Sequence, residues 1–149
     1  MKTEIKHYRD FSLNEFHDMI QLRIAVFVVE QNCPYQELDG LDKHCFHLLV
    51  KNDDDKIIAT SRILPPELAS LEPAIGRVVS DPSYRNMKLG HLLMEESITF
   101  IEQTFGKVTV ILSAQEHLEG FYNSHGFEAT SNRYLEDDIP HVKMIKRHL

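Results

Sequence analysis

"RVVSDPSYRNMKLGHLL", residues 77–93, opens as a strand and closes as a helix, with only a tight turn between them. Arg77-Val78-Val79-Ser80 has strand composition, and Asp81-Pro82-Ser83-Tyr84 has turn composition. From Leu89 onward apolar residues recur at helical spacing. A turn of this kind leaves the first N–H groups of the helix unpartnered, and the helix dipole adds partial positive charge, so it suits a pyrophosphate. Arg85 and Lys88 bring cationic side chains there, in a chain of formal net charge −7.

Working outward, the helix predicted from this stretch runs from about 89 to 105 on Leu89, Leu92, Leu93, Phe100 and Ile101, and Gly106 stops it. Upstream, Ser12-Leu13-Asn14-Glu15 reads as a capping box in which Glu15 reaches back. A helix over about 13–29 follows, with Leu13, Phe16, Ile20 and Phe27 on one face. Strands are expected at 44–50, 56–64, 74–80, 107–113, 127–130 and 141–145, and a short helix at about 116–125 that ends at Gly126. These elements make a mixed α/β (α+β) class, with a central, mostly antiparallel sheet flanked by helices. Without an internal repeat or a linker-like tract, residues 1–149 read as one domain.

Composition narrows the function classes. With 42% hydrophobic and 26% charged residues the chain has ordinary globular content. Its apolar runs are too short to cross a bilayer, and MKTEIKHYRD lacks the apolar core of a signal peptide, so no membrane partner and a cytoplasmic location are expected. The acidic balance argues against nucleic acid and suits a cationic partner. Cys33 and Cys45 are expected as two free thiols. Cys33, His44, Cys45 and His47 are zinc-ligand types, but their spacing does not match a closed structural site, so no metal is expected.

Arg85-Asn86-Met87-Lys88-Leu89-Gly90, behind a strand and Pro82-Ser83-Tyr84, resembles the coenzyme A pyrophosphate signature Gln/Arg-x-x-Gly-x-Gly/Ala of the GNAT superfamily of acyl-CoA N-acyltransferases. "GFYNSHGFE", residues 120–128, is similar to the family's Phe-Tyr-x-x-x-Gly-Phe segment. "LRIAVFVVEQNCPYQELDGLD" and "YLEDDIPHVKM" extend the likeness to the ElaA-type subfamily over nearly the whole chain. The resemblance implies a sheet splayed between its fourth and fifth strands, acetyl-CoA as co-substrate and direct acetyl transfer to an amine. A homodimer is compatible with it. Lys88 departs from the signature, standing where its first glycine belongs. The reading favoured here is a helical backbone at Lys88, with the side chain free to pair with a phosphate.

By the same resemblance Val78, Val79 and Ser80 run beside the pantetheine arm and polarise the thioester carbonyl. The coenzyme is held by Arg85, Asn86, Met87, Lys88, Leu89, Gly90, His91, Tyr122 and Asn123. Tyr122 is the position matching the family's general acid, which protonates the departing thiolate. The amine must also lose a proton, and residues 74–80 contain no carboxylate to take it. Glu30, at the end of an apolar helical segment where burial raises a carboxyl pKa, is the first candidate base; His141 and Glu136 follow. Phe27 to Val29 are expected to anchor the first helix, while Glu30, Glu37, Asp39 and Asp42 line the acceptor side and attract a cationic amine. The competing reading is a non-catalytic acyl-CoA-binding module of the same fold, favoured by Lys88 and the missing strand carboxylate.

Overall fold

The computed structural model describes residues 1–148. Seven strands form one sheet in the order β1-β2-β3-β4-β5-β7-β6: Lys2–His7, Phe46–Lys51, Ile57–Leu64, Ala74–Ser80, Val110–Gln115, Glu128–Glu136 (β6) and Ile139–Lys146 (β7). Every neighbouring pair is antiparallel except β4 and β5. Those two run parallel and share a single registered pair, Ala74 with Ile111, so they part company almost at once. This is the expected splay, and it opens the middle of the sheet.

A β-bulge on β4 accompanies the opening. Thr60 pairs with Val79 and Arg62 with Gly76, which leaves Arg77 and Val78 together opposite Ser61. Arg77 takes φ +50° there. An extra residue bends its strand and interrupts pairing, which steers β4 away from β5.

Helix α1, Leu13–Ile24, starts where Ser12 Oγ accepts the Glu15 N–H at 3.1 Å. Glu15 does not reach back as the capping box predicts; its carboxylate takes Lys6 and Lys51 instead, each at 2.6 Å. The helical path continues to Glu30 as a widened π turn, Ala25–Glu30. Val26 is the buried anchor of this turn and Phe27 packs against the same cluster as expected, whereas Val29, against expectation, is 71% exposed. Met19, Ile20 and Leu22 of α1 pack with Val26 onto Leu49, Ile57 and Val79 of the sheet. On the opposite face α2, Leu89–Phe105, buries Met94 and Ile101 against Ile75, Leu112 and Met144. The remaining helix, α3 (Glu119–Asn123), follows a 3-10 turn at Glu116–Leu118.

Candidate active site

Two adjoining cavities occupy the splay. The first, about 400 Å³, is lined by Val26, Phe27 and Glu30 of the π turn, Val78–Ser80 of β4, Arg85, Gly90 and Leu93, and by Leu118, Phe121 and Tyr122. The second, about 110 Å³, lies on the other side of the opening, between Gln31, Cys33 and Tyr35, the β4 residues Ile75–Val78, and Ser113, Glu136 and His141. Phe27, Gln31, Val78, Gln115, Leu118 and Tyr122 line both.

The turn before α2 forms the outer end of the larger cavity. Pro82–Met87 is a 3-10 turn whose Asp81 carboxylate accepts the Ser83 N–H at 2.9 Å. Lys88 then takes φ +56° and ψ +34°, a left-handed conformation. The expectation of a helical backbone at Lys88 is therefore wrong: the chain needs one left-handed residue to pass from the 3-10 turn into α2. No side chain caps α2, which leaves its first N–H groups open to a ligand. Gly90 has a separate reason, since a Cβ there would meet the Phe121 ring at 3.2 Å. Its smallness lets α2 and α3 close over the cavity.

The residues that the sequence assigned to the coenzyme divide into groups. Val78, Val79, Ser80, Arg85, Gly90 and Tyr122 line the larger cavity. Asn86, Met87, Lys88 and His91 are exposed on and beside the turn. Leu89 offers only backbone, because its side chain is buried with Leu48 and Leu93. Asn123 is exposed at the end of α3. His91 Nδ1 lies 2.8 Å from His125 Nε2, a pairing not foreseen, and Phe121 packs against both rings.

Tyr122 stands at the junction, 8% exposed. Burial pushes its phenol up to about 12, and no neighbouring charge or hydrogen bond opposes that. His141, also buried, donates Nδ1–H to the Ile139 carbonyl at 2.7 Å, which turns Nε2 toward Glu136 Oε2 at 3.3 Å. The Tyr134 ring stacks on it, and the Tyr134 hydroxyl bonds Ser113 Oγ. Neither Ser113, in a strand expected at 107–113, nor Tyr134, in the quoted YLEDDIPHVKM segment, is assigned a site role by the sequence.

Glu30 differs from its expectation. It is exposed rather than buried, and a hydrogen-bonded pair with Arg85, one bond 3.0 Å long, holds its carboxyl below the usual range. Glu37, Asp39 and Asp42 differ too. Instead of facing an acceptor, they are consumed by arginines: Glu37 by Arg23 and Arg77, Asp39 by Arg62 and Arg77, Asp42 by Arg23 and Arg62. Burial alone would raise the Asp42 carboxyl, yet Arg23 and Arg62 keep it low. The three acids and three arginines balance.

Comparison with known proteins decides the family. A model of the acetyltransferase (GNAT) domain matches residues 10–148. The chain belongs to the GNAT family. Within it, this GNAT chain is 40% identical to the protein ElaA of Escherichia coli over 143 residues, 94% of this chain and 92% of that one. A UPF0039 protein of Schizosaccharomyces pombe is 40% identical over 140 residues, 93% and 92% of the two chains. The crystal structure of an acyl-CoA N-acyltransferase from Pseudomonas aeruginosa superposes with TM-score 0.92 at 43% identity, covering 98% and 99%. That of Escherichia coli ElaA gives 0.90 at 38%, covering 99% and 100%. This GNAT chain is accordingly of the ElaA type, and its activity class is acyl-CoA-dependent acyl transfer. No described helix is long and apolar enough to cross a membrane.

Proposed function

We propose that the protein moves the acetyl group of acetyl-CoA directly to a small cationic amine. The observation that carries this is the junction at Tyr122. One cavity leads from it to the open N-terminus of α2 and Arg85, the other to His141 and Glu136. Thioester and amine enter from opposite sides of the splay and meet beside the β4 bulge.

In this reading the pantetheine arm lies along Val78–Ser80, where β4 has no β5 partner and its outward N–H groups can polarise the thioester carbonyl. His141 takes the amine proton through Nε2, with Glu136 stabilising the charge that develops. This base replaces Glu30, whose carboxylate is engaged on the coenzyme side. Tyr122 hands its proton to the leaving thiolate. Burial, which pushes the phenol up to about 12, keeps it protonated through the neutral range, so the proton is in place when charge develops on the sulfur. With Glu37, Asp39 and Asp42 neutralised, the unshared negative charge at the acceptor cavity belongs to Glu136 and Asp137, which favours a cation.

The test is a thiol-release screen with acetyl-CoA against monoamines, diamines, polyamines, amino sugars and peptide N-termini. Release that depends on a cationic amine supports the reading. Tight coenzyme binding with no release against any of them would indicate the binding-module alternative.

A further inference from the structure

The acceptor-side cavity has an irregular wall. Residues 31–41, which contribute Gln31, Cys33 and Tyr35, contain neither helix nor strand. A segment without a hydrogen-bonded ladder keeps its place only through individual contacts. Arg77 supplies several of them. Its Nε donates to Glu37 Oε2 at 2.7 Å, its Nη2 donates to the Glu37 carbonyl at 2.9 Å, and its guanidinium lies over the Tyr35 ring at 5.6 Å.

The same residue is the left-handed one in the β4 bulge, next to Val78, which borders both cavities. A non-glycine residue at φ +50° in a strand is costly and survives where its surroundings demand it. One residue thus carries the bend at the transfer point in its backbone and holds the facing wall with its side chain. Arg77 Nη2 also lies 3.4 Å from Asp39, but without it neither acid is left without a guanidinium, because Glu37 keeps two bonds from Arg23 and Asp39 keeps two from Arg62.

We propose that Arg77 is a positioning residue, which fixes the 31–41 wall against Val78 so that the amine meets the thioester carbonyl in register. The proposal rests on the acyl-transfer reading above and assigns Arg77 no contact with substrate.

Arg77→Asn tests it, since asparagine tolerates the left-handed conformation and leaves the bulge intact. Cys33, buried in the wall, is the first reporter, read by its reaction with Ellman's reagent. Cys45 stays silent because it is fully buried and its thiol is pushed up to about 12. Cys33 should react about tenfold faster in the variant, the effect of a modest drop in local stability. With the best amine from the screen, kcat/KM should fall by on the order of 10- to 100-fold, as misplacement of a reactant does, while the Kd of acetyl-CoA stays within about twofold. Arg77→Lys should lie between wild type and Arg77→Asn in both readouts. An unchanged Cys33 rate overturns the proposal, and so does a loosened wall with unchanged amine kinetics. A parallel loss of coenzyme affinity also overturns it, by showing a general structural role. If wild type acetylates no amine, the acyl-transfer reading fails by itself; the Cys33 arm needs no acceptor and still reports whether Arg77 fixes the wall.

Discussion

Arg23 meets Glu37 in two parallel hydrogen bonds, Nε to Oε2 at 2.9 Å and Nη2 to Oε1 at 3.0 Å, with both side chains almost fully buried. Nη1 of the same guanidinium reaches Asp42 at 2.7 Å. A buried pair of this kind contributes little over an apolar replacement, but removing one partner leaves uncompensated charge. Arg23→Gln should therefore lower unfolding stability by about 3–5 kcal/mol, as breaking other buried pairs does. Urea denaturation reads it. A loss under about 1 kcal/mol would mean that water or local rearrangement compensates the two acids.

These arginines also mark where sequence reading stopped. The Asp81–Gly90 turn, α2 and β4 were legible because their signals are local: turn residues, helical period, β-branched runs. The splay came from the resemblance and not from spacing. β1 has no strand signal of its own, because Lys2–His7 holds a single aliphatic residue, Ile5, and owes its form to β2. β6 is longer than its sequence signal at 127–130, since its nine residues are mostly exposed and polar and end in an Asp137-Asp138 turn with φ +51° and +63°. The acids from Glu37 to Asp42 looked like a binding surface because Arg23, Arg62 and Arg77 come from three other elements. No local pattern announces such a pairing.

His47 gives a pH signature. Burial pushes its imidazole down to about 4, below the ordinary value of 6.5, so the folded state keeps it neutral where the unfolded chain would bind a proton. Stability is fully present above pH 6.5 and declines as pH falls toward 4. His7 and His125, also lowered by burial, act in the same direction. Asp39, held at about 2 against burial by Arg62, loses its contribution only below pH 3.8. Denaturation midpoints for wild type and His47→Gln at pH 7.5, 6 and 4.5 separate the groups, and the variant should show the flatter decline. Equal slopes would remove His47 from this account.

Lys88 at φ +56° carries the steric cost that glycine avoids. Lys88→Gly should stabilise the folded protein by about 1 kcal/mol. In a chain of this size that raises Tm by roughly 2–4 °C. A fall in Tm without ligand would show that the lysine side chain holds the turn more strongly than its backbone strains it.

Under the proposed function Glu30 competes with the coenzyme phosphate for Arg85, because the ion pair occupies the guanidinium that borders the larger cavity. Glu30→Gln frees Arg85 and removes an anion near the incoming pyrophosphate. Acetyl-CoA should bind more tightly, by no more than about fivefold for so exposed a pair. The gain should shrink in high salt. Isothermal titration at two ionic strengths checks both statements, and weaker binding by the variant would give Glu30 a direct part in holding the coenzyme.

Tyr122→Phe removes one hydroxyl from the junction and leaves the ring among Phe121 and Phe127. Fold and acetyl-CoA affinity should persist. General acid catalysis is typically worth 10²–10⁴-fold, so the barrier should rise by about 3–5 kcal/mol with both substrates saturating. The phenol at about 12 stays protonated through the neutral range, so the wild-type rate should show no loss of this acid below pH 10. Loss at high pH, if present, belongs to another group. Replacing the amine by a stronger nucleophile cannot rescue the variant if thiolate departure limits the rate, whereas a thioester with a more acidic thiol should. Rescue of that kind would place the missing proton on the leaving sulfur, and a rate unchanged by the substitution would leave Tyr122 as packing alone.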